Sequence, residues 1–294
     1  PWKRVEIKKI DAKERIKNFL PYMIPYTKEE AIAEAERCIH CPTVPCIKAC
    51  PANVKARFYI EAIEKGDFDE ALRIVREDLP LSAVCANACP AFCEDACPRG
   101  KRGESLAIRW LKRFVADSIK DYKTALELRA AEPTGKKIAV IGAGPSGLSI
   151  AYFLTLKGHK VVVFDSLPGG GGMMRIGPPL YRLPIEAIDK DVNHIASLGV
   201  EFRFNTTVGK DILFEDILKE YDAIYFGIGT TVSRSTKVKN IDYAHLALPF
   251  LQANKIGSGT KVGKEIIVIG GGNVAMDVAR EALRLQYMQY PGEE

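Results

Sequence analysis

The sequence predicts an α-helical, cysteine-rich domain followed by α/β Rossmann-like domains, the second of which is truncated. Three observations carry this prediction. All eight cysteines lie between Cys38 and Cys97, in a region whose apolar residues recur at helical spacing. One apolar run ends in the glycine pattern Gly142–Gly147, and a second ends in Gly270–Gly272. We expect the domains to cover residues 1–130, 136–245 and 246–294.

The composition restricts the class of protein. The chain has 294 residues, of which 47% are hydrophobic, and this is enough material for two or three domains. Its net charge of +5 suits an acidic protein partner or phosphate-bearing cofactors, and is too diffuse to indicate nucleic-acid binding. No apolar run approaches the roughly 20 residues of a membrane span, and no signal-peptide pattern opens the sequence. We therefore expect a cytoplasmic protein.

The N-terminal domain is predicted to be helical from its caps and apolar stripes. Thr27 and Glu30 form a capping box, and the helix that follows leads to Cys38. Further helices are predicted over Val54–Lys65 and Phe68–Glu77. A last helix, over Ser105–Asp121, is expected to bury its apolar face, which comprises Leu106, Trp110, Phe114 and Val115.

The cysteines form two runs that each end in Cys-Pro. They are Cys38-x2-Cys41-x4-Cys46-x3-Cys50-Pro51 and Cys85-x3-Cys89-x3-Cys93-x3-Cys97-Pro98. Eight closely spaced thiolates of this kind favour iron–sulfur ligation. Zinc is one alternative because Cys38-x2-Cys41 alone would suit it, although the second run lacks a C-x2-C pair. Disulfides are another alternative. His40, inside the first loop, is expected to lie beside the site rather than to bind metal.

The first glycine pattern stands in the setting of a dinucleotide site. A strand is predicted over Lys137–Ile141, a helix over Ser146–Leu156, and a second strand over Lys160–Phe164, which ends at Asp165. Gly142 makes the tight turn, Gly144 lets the backbone approach a pyrophosphate, and Gly147 lets the helix pack on the strand. Pro145 and Ser146 open the helix, whose N-terminus would face the phosphates, and Asp165 would hold a ribose hydroxyl. A tight turn between packed elements is the alternative.

The following segment extends this unit. In the glycine-rich loop of residues 169–172, Gly172 would lie flush against a flat ligand, and Arg175 would meet a phosphate or a ring carbonyl. A surface loop is the alternative. Helices are predicted over Ile185–Leu198 and Phe214–Glu220, and strands over Val200–Phe204 and Asp222–Phe226. The last strand runs into Gly229 and Thr230, small residues that suit a cofactor crossing the carboxyl end of a sheet.

The opening pattern then recurs. A strand is predicted over Glu265–Ile269 and a helix over Met276–Gln286. The turn between them offers Gly270, Gly272, Asn273 and Ala275 as nucleotide-binding residues. Two such units imply two nucleotides, most economically a flavin and a nicotinamide that exchange a hydride. A unit of this type needs about 30 residues or more to reach its second strand, so the second site is expected to be incomplete.

Three stretches together resemble a known family. They are Arg15–Phe19 with Tyr26-Thr27 and the first cysteine loop; the first glycine turn with Met173-Met174-Arg175 and Tyr181-Arg182-Leu183-Pro184; and Ile269–Ala279. The chain resembles the glutamate synthase small subunits and, within that family, the large subunits of NADH-dependent reduced ferredoxin:NADP oxidoreductases. The resemblance implies a helical domain with two [4Fe-4S] clusters and FAD in a domain that the NAD(P)H domain interrupts. The same N-terminal layout occurs in dihydropyrimidine dehydrogenase.

The resemblance also implies a set of ligands. Cys38, Cys41, Cys46 and Cys97 would hold one cluster, and Cys50, Cys89 and Cys93 would hold three irons of the other. The family has Glu or Gln as the fourth ligand of the second cluster, where this chain has Lys112. Because an ammonium has no lone pair to donate, we expect Cys85 to take that place. The family also tends to have Glu where this chain has Leu180.

The sequence is thus interpreted as an electron-transfer flavoprotein subunit. NAD(P)H, FAD and two [4Fe-4S] clusters would exchange electrons with a protein partner, either ferredoxin-like, glutamate synthase-like or another oxidoreductase subunit. One alternative is a non-catalytic iron–sulfur wiring or docking module whose nucleotide sites are vestigial. Another is a zinc-bearing adaptor with a structural Rossmann domain.

Overall fold

The computed structural model describes residues 2–118, 131–232, 239–257 and 259–291. Its N-terminal part is helical, as predicted. The helices are α1 (Ala12–Arg15), α2 (Lys28–Ala35), α3 (Pro45–Lys48), α4 (Ala56–Glu64), α5 (Phe68–Asp78), α6 (Ser82–Asn87), α7 (Phe92–Asp95) and α8 (Ile108–Ser118), with a 3-10 turn at Pro98–Lys101. The predicted end of the last helix, at Asp121, lies outside the described residues.

Local signals explain where these helices begin. Both hydrogen bonds of the capping box between Thr27 and Glu30 are formed at the start of α2. The side chain of Asp67 accepts from the backbone of Glu70 and caps α5. The predicted apolar face of α8 is buried, because α8 packs against α2, α4, α5 and α6. The two cysteine runs therefore lie in loops that several helices fix.

An α/β unit follows. It comprises β1 (Lys137–Ile141), α9 (Pro145–Leu156), β2 (Lys160–Phe164), α10 (Met173–Ile176), α11 (Ile185–Ser197), β3 (Glu201–Arg203), α12 (Phe214–Glu220) and β4 (Ala223–Phe226). The four strands form one parallel sheet in the order β3-β2-β1-β4. Ile141 pairs with Phe164 on one side and with Phe226 on the other. The carboxyl ends of these strands therefore meet at one edge, where parallel sheets bind ligands.

The last described segment contains a 3-10 turn at Ile241–Tyr243, α13 (Ala247–Ile256) and α14 (Asn273–Gln289). The strand predicted over Glu265–Ile269 is wrong: this segment forms no strand. A strand needs a hydrogen-bonded neighbour, and within the described residues none pairs with this segment. Ile267 and Ile269 are consequently 90% and 76% exposed.

The helical part and the α/β unit share a core. Ala83 and Val84 of α6 are buried in the same cluster as β1, β2, α9 and α11. α6 therefore belongs to the cysteine-rich region by sequence and to the α/β unit by packing. No helix in the described parts of the chain has both the length and the apolar character needed to span a bilayer.

Candidate functional site

The structure gathers four cysteines around one cavity. Cys38, Cys41, Cys46 and Cys97 line it together with Ile39, Val44, Ile60, Leu106 and Ile108, among others. We call these four cysteines the first quartet. Burial raises the pKa of Cys38 to about 11, against a backbone hydrogen bond from His40 that lowers it. A bare thiolate is thus costly here, and a metal centre that binds thiolates would offset that cost.

The other four cysteines form a second group. Cys85 and Cys93 each lie within electrostatic range of Cys50, Cys89 and Lys112. Burial raises the pKa of Cys85 to about 11 and that of Cys93 to about 12, and the ammonium of Lys112 opposes both shifts. We call Cys50, Cys85, Cys89 and Cys93 the second quartet. Lys112 is buried beside it on α8.

The two quartets arise from an internal repeat. Cys85, Cys93 and Cys97 repeat the spacing of Cys38, Cys46 and Cys50, with seven and then three residues between successive cysteines. The backbone repeats as well, because Val44 and Ala91 are both left-handed and directly precede the short helices α3 and α7.

Each run also gives its last cysteine to the other quartet. Cys50 closes the first run but joins the second quartet, and Cys97 does the converse. This exchange is typical of Cys-Pro runs in proteins with two iron–sulfur clusters.

The eight thiols are all free, so the structure contains no disulfide between them. Within the described residues, no group of three or more Cys, His, Asp or Glu side chains is arranged to hold a single metal ion. Nε2 of His40 lies 3.0 Å from Oε2 of Glu64. That His40 does not bind metal stays a prediction.

The first glycine turn has the features expected of a dinucleotide site. Gly142 has φ +101°, and a side chain there would strike the backbone of Gly227. A Cβ on Gly147 would overlap the carbonyl oxygen of Gly142. Gly144, in contrast, faces open space and precedes α9 without a capping side chain. The turn therefore leaves room, and helix N–H groups, at the one position where a phosphate would approach.

The remaining predicted residues of the first site lie in varied settings. Asp165 accepts hydrogen bonds from the backbone N–H of Ala143, at 2.6 Å, and of Leu167, at 2.8 Å. Gly172 packs against Gly144. Arg175 forms an ion pair with Asp189 and donates to the carbonyl of Gly170. Asp165 thus braces the glycine turn, and Arg175 is engaged within the protein; ligand contacts by either stay predictions.

Two further predicted residues lie at the same sheet edge, and two open the first helix. Gly229 and Thr230 follow β4 and are exposed. Pro145 and Ser146 are exposed in the first turn of α9, and the hydroxyl of Ser146 lies 2.6 Å from that of Tyr225. The predicted residues of the first site therefore occupy one edge of the sheet, as the strand register requires.

The second glycine turn begins α14. Gly270 has φ +124°, Gly272 immediately precedes the helix, and Asn273 is exposed at its first position. Gly272, Asn273 and Ala275 line a cleft of about 720 Å³ with the segment 260–269. The turn is therefore formed although the predicted strand before it is not.

A cavity lies between the second quartet and the second glycine turn. It has a volume of about 390 Å³ and is lined by Cys89, Arg109, Tyr181, Arg182 and Asn273, among others, and by none of the residues predicted for the first nucleotide site. A neighbouring cavity of about 480 Å³ is also lined by Arg182, together with Met173 and Val274. The cavity of the first quartet, in contrast, is lined only by residues of the helical part.

Charged side chains join α13 and α14 to the first unit. Nη1 of Arg182 donates to both carboxylate oxygens of Asp277, at 2.7 and 2.6 Å. Lys255 donates to the carbonyl of Met174, and burial lowers its pKa to about 7. Burial likewise raises the pKa of Glu281 to about 7. These residues carried no signal in the sequence apart from Arg182, which was noted only for the family resemblance.

Two family models match the chain. Residues 15–124 match dihydropyrimidine dehydrogenase domain II, 4Fe-4S cluster, and residues 136–289 match the pyridine nucleotide-disulphide oxidoreductases. The chain belongs to the pyridine nucleotide-disulphide oxidoreductase family. These matches confirm the predicted fold class, a helical iron–sulfur domain followed by a Rossmann-like α/β domain.

Several curated proteins are similar to this chain. The NADPH-Fe(3+) oxidoreductase subunit beta of Geobacter sulfurreducens is 36% identical over 91% of this chain and 40% of its own. The NADP(+)-dependent formate dehydrogenase subunit beta of Moorella thermoacetica is 38% identical over 82% of this chain and 38% of its own. The small chain of glutamate synthase [NADPH] of Escherichia coli is 33% identical over 97% of this chain and 62% of its own. The resemblance to the glutamate synthase small subunits is confirmed, and the chain spans well under two thirds of the first of these relatives.

Proposed function

We propose that this chain is part of an electron-transfer flavoprotein subunit that passes electrons between NAD(P)H, FAD and two [4Fe-4S] clusters, to or from a protein partner. The observation that carries the proposal is the cavity that Cys89 of the second quartet lines together with Arg182 of the α/β unit and Asn273 of the second glycine turn. The second quartet would therefore exchange electrons with the nucleotides, and the first quartet would pass them to or from the protein partner.

The ligand sets follow from the two quartets. Cys38, Cys41, Cys46 and Cys97 would hold one cluster, and Cys50, Cys85, Cys89 and Cys93 the other. The internal repeat supports Cys85 as a ligand. Cys85 precedes Cys93 and Cys97 by the same numbers of residues as Cys38 precedes Cys46 and Cys50. Lys112, buried within electrostatic range of Cys85 and Cys93, would neutralise part of the negative charge of the second cluster.

The first glycine turn would hold FAD, which can exchange a hydride on one side and single electrons on the other. Gly144 and the uncapped N-terminus of α9 would receive its pyrophosphate, because only there does the turn leave space. Asp165 would keep the turn in shape through its bond to Ala143. Gly270, Gly272, Asn273 and Ala275 would contribute in the same way to the site of NAD(P)H.

The partner is proposed to be another protein subunit. The three relatives quoted above are all named as a subunit or small chain. The names of those proteins specify NADPH or NADP(+) as the nucleotide, but they belong to three different enzymes. We propose a ferredoxin-like or glutamate synthase-like partner, or another oxidoreductase subunit.

The test is a cofactor and reduction assay on anaerobically prepared holoprotein. About eight irons and one FAD per chain are expected, because two [4Fe-4S] clusters contain about eight irons. NADH or NADPH should bleach the flavin and then the clusters, as followed by absorbance and electron paramagnetic resonance (EPR). Absence of iron would overturn the proposal. Iron without reduction by either nucleotide would favour the wiring module instead.

A further inference from the structure

A carboxylate of the α/β unit caps the helix that carries Cys85. Asp191 on α11 accepts from the backbone N–H of Ala83 at 3.1 Å and of Val84 at 2.9 Å. These residues form the first turn of α6, where helix N–H groups lack partners within the helix. α6 has no capping side chain of its own, because Leu81 precedes it. The cap of α6 is therefore supplied from a helix more than 100 residues further along the chain.

A buried cation anchors this cap. Arg76 at the end of α5 donates through Nε to the hydroxyl of Ser82, 3.1 Å away, and its Nη2 lies 3.8 Å from Oδ1 of Asp191. The hydroxyl of Ser82 lies 3.3 Å from the same carboxylate oxygen. The hydroxyl of Tyr152 on α9 donates to the carbonyl of Arg76 at 2.8 Å. α5, α6 and α11 thus meet at one fully buried carboxylate, and α9 joins them through Arg76.

The residues that Asp191 caps adjoin the second quartet. Val84 directly precedes Cys85, and α6 ends just before Cys89. The side chains of Ala83 and Val84 pack in the core of the α/β unit. Any shift of α6 relative to α11 would therefore move the sulfurs of Cys85 and Cys89 relative to the first glycine turn. Electron transfer falls steeply with distance, so such a shift would slow it.

We propose that Asp191 is a positioning residue that fixes the second quartet at a set distance from the nucleotide site by capping α6. The inference rests on the proposed function and deepens it. Asp191 would control the distance over which electrons move within the protein, although it would touch neither the flavin nor the cluster. An ordinary cap stabilises its own helix. This cap also joins the cysteine-rich helical part to the α/β unit, between which electrons would pass.

The test compares Asp191→Ala and Asp191→Asn with the wild-type holoprotein. The amide oxygen of Asn still accepts from α6 but loses the charge that faces Arg76, so its effect should lie between the other two. Glu186→Gln is the control, because Glu186 lies on the same helix and is exposed. Hydrogen exchange of the peptide that contains Ala83 and Val84 should be about tenfold faster in Asp191→Ala, because a lost cap opens the first turn.

The second measurement is stopped-flow reduction by NAD(P)H. In Asp191→Ala, reduction of the flavin should stay within about twofold of wild type, and transfer to the second cluster should slow by about tenfold. Unchanged hydrogen exchange and cluster reduction in both variants would overturn the inference. An equal slowing of both steps would do so too, since it would show a general structural role. If Asp191→Ala does not fold, the same comparison is made with Asp191→Asn.

A different result would overturn the proposed function. Wild-type protein that binds no iron or flavin would overturn that function. The hydrogen-exchange comparison would still decide whether Asp191 holds α6.

Discussion

Cys38 and Cys97 line the same cavity, although Cys97 closes the second cysteine run. Cys50, which closes the first run, lies with Cys85 and Cys93 instead. Each loop therefore contributes its last cysteine to the centre of the other loop. The two proposed clusters are interlocked, and the ligand sets can be separated by mutation.

The first prediction concerns this exchange. Cys97→Ser should perturb the same EPR signal as Cys41→Ser, and Cys50→Ser the same signal as Cys93→Ser. The reason is that each pair shares a quartet although its members come from different runs. Spectra of dithionite-reduced holoprotein provide the measurement. If Cys97→Ser and Cys93→Ser altered one and the same signal, the quartets would have been assigned wrongly.

The second prediction separates two glycines of one turn. Gly147→Ala should destabilise the protein by about 1–3 kcal/mol, because its Cβ would overlap the carbonyl of Gly142. Gly144→Ala should leave the melting temperature of the flavin-free protein nearly unchanged, since its Cβ would enter open space. It should nevertheless weaken FAD binding, because that space is the proposed position of a phosphate.

Calorimetry and flavin titration measure these two effects. Gly263→Ala, at an exposed glycine without a positive φ where a Cβ would make only ordinary contacts with Glu265, controls for the general cost of adding a methyl group. Full FAD affinity in Gly144→Ala would place the pyrophosphate elsewhere.

The third prediction concerns Lys112. Lys112→Met, which removes the charge without introducing the Glu or Gln ligand of the family, should lower the reduction potential of the second cluster, because the buried ammonium favours the more negative, reduced state. A shift on the order of 50 mV is expected, equivalent to about 1.2 kcal/mol for one electron. An EPR-monitored redox titration measures it. The potential of the first cluster serves as the internal control, and an equal shift of both potentials would argue against a local effect.

The fourth prediction concerns stability in acid. Burial, and then the charge of Arg76, lower the pKa of His194 to about 3, against an ordinary value of 6.5. Unfolding therefore takes up a proton between these values, and this contribution to stability is present above pH 6.5 and lost as the pH falls toward 3. The slope should approach about 1.4 kcal/mol per pH unit. His194→Asn should remove this slope.

Wild type and His194→Asn must be compared because the titration of Asp191 changes stability with pH in the opposite direction. Burial raises the pKa of Asp191 to about 6, so its contribution falls as the pH rises from about 4 to 6. This term is common to wild type and His194→Asn and cancels in the difference. Urea unfolding across pH 4–7 measures that difference, and parallel stability curves would contradict the prediction.

Some of the fold could be predicted to the residue and some could not, for physical reasons. The strands Lys137–Ile141 and Lys160–Phe164 agree with the sequence prediction because both are apolar runs that a parallel sheet buries. Glu265–Ile269 has the same apolar character, but a strand also needs a neighbour, and the sequence of the segment does not contain that information. Composition indicates which segments can form strands, and pairing decides which do.

The site divides in a similar way. The glycines of the first turn could be identified because their spacing expresses a local backbone requirement. The grouping of the cysteines rested on the family resemblance, since spacing alone does not reveal which loop donates to which centre. Asp191 could not be found at all, because its partners Ala83 and Val84 are distant in sequence and contribute only backbone atoms.

The packing of α6 has a consequence for protein engineering. Because Ala83 and Val84 form part of the core of the α/β unit, we do not expect the cysteine-rich segment to fold as an independent module. In a chimera of the cysteine-rich segment with an unrelated reductase, the apolar side chains of α6 would be exposed to solvent. The helix would also lose the cap that Asp191 supplies. Grafting it would require transplanting α11 as well, or redesigning the beginning of α6 with a Ser or Asp that caps itself.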